Sequence, residues 1–103
     1  MSELLHVEVS GVAAEQIRVV ETWWRTNRPK APNAIREELE RASALVAAQP
    51  DIGSRARNVK LAGVRRIHLS RIRYHLYYRV NEAPRHIEIL GFWQSSRGGK
   101  PPI

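Results

Sequence analysis

The 103-residue chain contains no cysteine, which removes disulfides, thiolate metal sites, iron–sulfur clusters and cysteine nucleophiles together. It also lacks any apolar run near the roughly 18 residues that a membrane span needs. Its opening residues, Met1 to Glu8, carry neither the basic region nor the long apolar core of a signal peptide. No membrane association and a cytoplasmic location are therefore expected. Acids are scarce in the second half: through Ser54 eight acidic residues face six basic ones, but from Arg55 onward two face eleven. The excess behind the net charge of +7 lies there, and such an asymmetry points to an acidic partner. With 43% hydrophobic residues the composition is that of a folded chain. This length suits one core, so a single domain over residues 1–103 is expected, with 94–103 as a C-terminal tail.

Leu5, Val7 and Val9 alternate with polar residues, the period of a short half-buried strand that Gly11 ends. From Val12 to Asn27, Ala13, Ile17, Val20 and Trp24 recur at helical spacing, with Ser10 placed to cap. Adjacent helical positions point about 100° apart, so Trp24 is expected in the core and Trp23 toward a groove. Pro29 and Pro32 break this helix, and a second begins near Asn33 with Ile35, Leu39, Ala42 and Leu45/Val46 on one stripe. After Gln49–Gly53 the pattern turns to strands over 64–69, 72–80 and 87–93, joined by short turns. The predicted class is α+β, in the order β-α-α-β-β-β. It comprises an antiparallel sheet with the helical hairpin packed on one face.

Along the middle strand Ile72, Tyr74, Leu76, Tyr78 and Val80 alternate with Arg73, His75, Tyr77 and Arg79. Alternation sends these sets to opposite faces, which predicts a core face and a cationic face, the latter joined by Arg66 and His68 of the preceding strand. An ordinary solvated sheet face would show the same alternation. The four histidines have no paired helical spacing for a metal, and Gly98-Gly99 precedes no helix that could hold a phosphate. No metal and no cofactor are expected.

Three segments together, Gly63-Val64-Arg65-Arg66, Arg73-Tyr74-His75-Leu76-Tyr77-Tyr78-Arg79-Val80 and Ile87-Glu88-Ile89-Leu90-Gly91-Phe92-Trp93 followed by Ser95-Ser96-Arg97-Gly98, resemble the RelE/ParE superfamily. These are toxins of type II toxin–antitoxin modules, of the plasmid-stabilisation kind. The order of elements matches over nearly the whole chain, and the sequence looks most like the ParE branch. The resemblance implies a non-enzymatic toxin that inhibits DNA gyrase and is neutralised, in a hetero-oligomer, by the acidic C-terminal segment of a ParD-like antitoxin. It places target contacts at the C-terminal end, on Trp93, Arg97, Gly98 and Lys100. Antitoxin contacts are expected at Trp23, Arg66, Arg73, His75, Tyr77 and Arg79. DNA would be reached through the gyrase complex, without direct sequence-specific contact.

The RelE branch implies instead a ribosome-dependent mRNA endoribonuclease. Cutting RNA through its 2′-hydroxyl needs a base, an acid and cations around the phosphorane, and Arg66, His68, Arg73, His75 and Arg79 are the residues that could supply them. Against this, the last strand ends Leu90-Gly91-Phe92-Trp93-Gln94-Ser95, where Gln94 exchanges no proton at neutral pH. A third reading is a degenerate toxin that only binds its antitoxin.

Overall fold

The computed structural model describes residues 4–97 and 100–103. A short strand β1 (Val7–Val9) leads into helix α1 (Gly11–Asn27), whose N-cap Ser10 accepts a hydrogen bond from the Ala13 amide at 3.1 Å. Helix α2 (Ala34–Ala48) follows the proline link, which the Trp24 indole pins by donating to the Ala31 carbonyl at 3.0 Å. Four strands complete the chain: β2 (Ser54–Arg55), β3 (Arg65–Leu69), β4 (Tyr74–Asn81) and β5 (His86–Gln94). No described helix is long and apolar enough to cross a membrane.

The α+β class, the helix pair and the meander of the last three long strands agree with the sequence reading. Two features of the sheet differ. Its order is β1-β5-β4-β3-β2, and β1 runs parallel to β5, so the sheet is mixed. The two-residue β2 pairs with β3 through Ser54↔Arg66 and Arg55↔Arg65. Side-chain alternation reports faces, not the direction of a neighbouring strand, and so it carries no signal for either feature.

A bulge in β5 divides the core. Tyr77 pairs with Gly91 but Tyr78 pairs with Ile89, leaving Leu90 as the extra residue. The parity of the strand therefore changes: Ile87 and Ile89 before the bulge, and Phe92 after it, all face the helices. There they join Ala13, Ile35, Val46, Leu76 and Tyr78 in the main core. Leu90 turns to the opposite face, where it forms a second cluster with Val64 and Tyr77, flanked by Ala56, Val59, Trp93 and Ile103. Among the described residues β5 has no strand partner on its β1 side beyond Ile89, and the Gln16 side-chain oxygen accepts from the Phe92 amide there at 2.8 Å.

This second cluster corrects two expectations. Tyr77, expected on an open cationic face, is fully buried, because the bulge and the 56–64 loop build a core over it. The C-terminal residues do not simply leave the last strand. Pro101 is buried, and Ile103 seats over Gly91 so closely that a Cβ there would lie 2.6 Å from the isoleucine methyl. The Ile103 carbonyl also accepts from the Lys60 amide at 3.0 Å. The hydrophobic gain from covering Leu90 and Tyr77 accounts for this return.

Tyr78 ties the main core to the end of α2. Its hydroxyl donates to the Pro50 carbonyl at 2.7 Å and accepts from the Gly53 amide at 2.9 Å, and burial raises its pKa. Tyr78→Phe removes both bonds and leaves a buried amide unpaired, at a cost of about 2 kcal/mol. The expected result is a fall of roughly 10 °C in the thermal midpoint, read by circular dichroism; an unchanged midpoint would contradict this anchor.

Candidate functional site

Helix α1 presents Val19, Val20, Trp23 and Trp24 as one wall of a groove of about 880 Å³. The other wall comprises Arg71, Ile72, Arg73 and Tyr74 from the β3–β4 turn, with Gln94, Ser96 and Arg97 at the end of β5. Tyr74 stacks on Phe92 with centroids 4.4 Å apart and planes 11° from parallel. Val19 and Trp23 are each about half exposed (52% and 48%), an apolar surface left open by the described residues. The Arg28 guanidinium lies 5.4 Å and 5.7 Å from the Trp23 and Trp24 ring centroids, within the range of cation–π attraction.

The turn that carries the opposite wall is held from two sides. Arg71 bonds Glu37 at 3.0 Å and Glu38 at 3.3 Å, and the buried Glu38 also takes Arg41 at 2.6 Å. Arg73 has φ of 61°, a left-handed conformation that costs a non-glycine residue roughly 1–2 kcal/mol. Its amide donates to the Leu69 carbonyl, and its own carbonyl accepts from both the amide and the hydroxyl of Ser95, each at 2.9 Å. These bonds offset the strain. They also correct the expected position of Arg73, which lies in the turn before β4 and lines the groove rather than sharing the face of His75.

On the sheet face away from the helices, cross-strand pairing gathers a different set. His68 of β3 lies opposite His75 of β4 with ring centroids 5.0 Å apart, and His75 lies opposite Trp93 of β5. Arg66 is in the next row, opposite the buried Tyr77. Burial, then the Arg66 and His68 charges, push the His75 pKa below its ordinary value. Arg79 is at the far end of the face, bonded to Glu88 at 3.2 Å. Arg97 sits with its guanidinium carbon 4.0 Å from the Trp93 centroid.

Of the residues singled out from sequence, Trp23, Arg73 and Arg97 meet at the groove, and Arg66, His68, His75 and Trp93 on the opposite face. Arg79 is neutralised, Lys100 is exposed beside the tail, and Gly98 lies outside the described residues. Sequence reasoning missed Arg28 and Tyr74 as groove residues. The spacing of Arg28 four residues after Trp24 was a usable signal, whereas Tyr74 read only as core. Among the described residues no three His, Asp or Glu side chains cluster as metal ligands would.

Residues 7–98 match the family model for the ParE toxin of the type II toxin–antitoxin system parDE. This chain belongs to the ParE toxin family. Its fold is that of a chain from the chromosomal ParDE toxin–antitoxin system of P. aeruginosa, with a TM-score of 0.70 and 20% identity, covering 90% of this chain and 98% of that one. The isolated E. coli RelE toxin is similar at a TM-score of 0.65 and 18% identity, covering 91% of this chain and 87% of that one. No curated protein matches the sequence significantly.

Within this ParE fold, the histidine face holds two adjacent imidazoles, His68 and His75, with Arg66 in the next row. On β5 the residue opposite His75 is Trp93, and Arg73 is on the other side of the sheet. The pKa shift has a stability consequence. Because the folded value is below the unfolded value of 6.5, His75 contributes stability that is present above that value and lost as pH falls through the folded value. Urea unfolding across this window should show stability dropping on the acid side, and His75→Gln should flatten the slope. An identical slope in the variant would refute the assignment.

Proposed function

We propose that this chain inhibits DNA gyrase in the cytoplasm, and that the α1 groove receives the acidic C-terminal segment of a ParD-like antitoxin. Membership of the ParE family carries the reading. The groove supports its second half: Val19, Trp23 and Tyr74 offer apolar contact, while Arg28, Arg73 and Arg97 have no acidic partner among the described residues. An amphipathic acidic segment satisfies both requirements at once. Trp93, Arg97 and Lys100 remain the proposed target-facing residues, at the end of β5 and in the tail. A hetero-oligomer of toxin and antitoxin is the resting form in this reading.

Purified chain added to gyrase and relaxed plasmid should block supercoiling and accumulate cleaved DNA. The absence of both effects at toxin excess would overturn gyrase as the target. The convergence of Arg66, His68 and His75 favours one competing reading, ribosome-dependent mRNA cleavage, which predicts translation arrest abolished by His75→Ala.

The groove assignment has its own test. Trp23→Ala and Arg73→Gly should each weaken binding of a synthetic antitoxin C-terminal segment on the order of tenfold. Arg73→Gly should leave thermal stability intact, because glycine accepts the left-handed backbone without strain. Unchanged affinity in both variants would move the antitoxin site elsewhere.

A further inference from the structure

Charge on the sheet face away from the helices is segregated along the strands. At the end toward the β4–β5 turn, Glu88 binds Arg79 and Asn81, and Glu8 and His86 stand nearby. At the other end Arg66 has no acidic partner among the described residues, and neither do Arg97 or the exposed Arg57, Lys60 and Lys100 of the covering loop and tail. Between these cations runs a row of rings across three strands: Trp93, His75 and His68. The Arg97 guanidinium lies over the first of them at 4.0 Å, and the two imidazoles are 5.0 Å apart.

We propose that this end of the face binds single-stranded nucleic acid without cutting it, with bases stacked on the His68 and His75 rings and phosphates held by Arg66 and Arg97. Flat rings flanked by guanidinium groups suit unstacked bases, because every base offers a π-face whatever its sequence. An acidic peptide is the poorer fit. Among the described residues none of the exposed large hydrophobic side chains belongs to β3, β4 or β5, and the covering loop adds only Leu61, so this face offers fewer aliphatic anchors than the α1 groove. Duplex is also disfavoured, since paired bases keep their faces stacked on one another. The absence of cleavage is part of the proposal: Arg73 faces the groove and Arg79 is paired with Glu88, so both stand away from the His68–His75 pair, and β5 adds Trp93 opposite His75.

The proposal stands apart from the choice of gyrase as target and is tested without it. Fluorescence anisotropy of short labelled oligothymidylate and oligouridylate at low salt should show saturable binding, with a matched duplex weaker. Comparable affinity for both strands would mark recognition through bases and phosphates, whereas RNA-only binding would mark a site that reads the 2′-hydroxyl and would overturn the sequence-tolerant site proposed here. His68→Ala should weaken binding about tenfold, and Arg66→Gln should also lower the log–log salt slope by about 0.7. Both side chains reach solvent, and unchanged thermal midpoints would confirm folded variants. Arg85→Gln, in the β4–β5 turn, should bind as the parent does. The bound strand should be recovered intact on a denaturing gel. Absence of saturable binding, parental affinity in both site variants, equal affinity for duplex, or strand cleavage would each overturn the proposal.

Discussion

The bulge in β5 is the constraint from which both candidate surfaces follow. A strand without it would continue the alternation of Ile87 and Ile89, putting Gly91 and Trp93 toward the helices and Phe92 on the far face. One unpaired residue at Leu90 reverses that assignment. Phe92 then stacks against Tyr74, a residue of the groove wall, while Trp93 crosses to the opposite face and takes its place beside His75. Leu90 and Gly91 both turn to the second face, where the leucine seeds a small core and the missing side chain of the glycine admits Ile103. The tail's position, the burial of Tyr77 and the composition of the ring row all follow from one inserted residue.

A second constraint is the scarcity of acids. Glu15, Glu21, Glu37 and Glu38 of the helices pair with Arg18, Arg25, Arg41 and Arg71, and Glu88 neutralises Arg79. Exposed pairs of this kind contribute little stability each, but they decide which cations stay uncommitted. Among those left over, Arg28, Arg73 and Arg97 line the α1 groove, and Arg57, Lys60, Arg66 and Lys100 lie on or around the opposite face. The groove combines its cations with aliphatic and indole surface, and the far face combines them chiefly with rings. The net charge is thus two local fields with different apolar company, which is a basis for distinguishing two kinds of anionic partner.

Much of this was legible in the sequence, and the failures have specific causes. Ser10, the two proline breaks and the spacing of Ile35, Ala42 and Val46 mark the helices because capping and period are local properties. The different fates of Trp23 and Trp24 were also legible, being a matter of helical angle. Tyr77 was misplaced because simple alternation assigns a face but does not say whether a loop will cover it, and Ala56 and Val59 are too sparse to signal a second core. Arg73 was misplaced by one assumption, that the strand begins at Ile72. In the structure the chain stays in a turn until Tyr74, held by Ser95, a residue 22 positions away. The parallel pairing of β1 likewise depends on a strand near the other end of the chain.

Arg97 joins the two surfaces. It lines the groove on the helix side, and its guanidinium also covers Trp93 at the edge of the opposite face. A carboxylate bound in the groove competes for this guanidinium with its stacking on the indole, since one planar group has one best geometry. An occupant of the groove would therefore meet the same guanidinium that covers Trp93. Ser95 strengthens the link, because the same residue that follows β5 also holds the Arg73 carbonyl on the groove side. In the neutralisation proposed above, an antitoxin segment that holds the turn and the strand end acts on both surfaces without covering either of them whole.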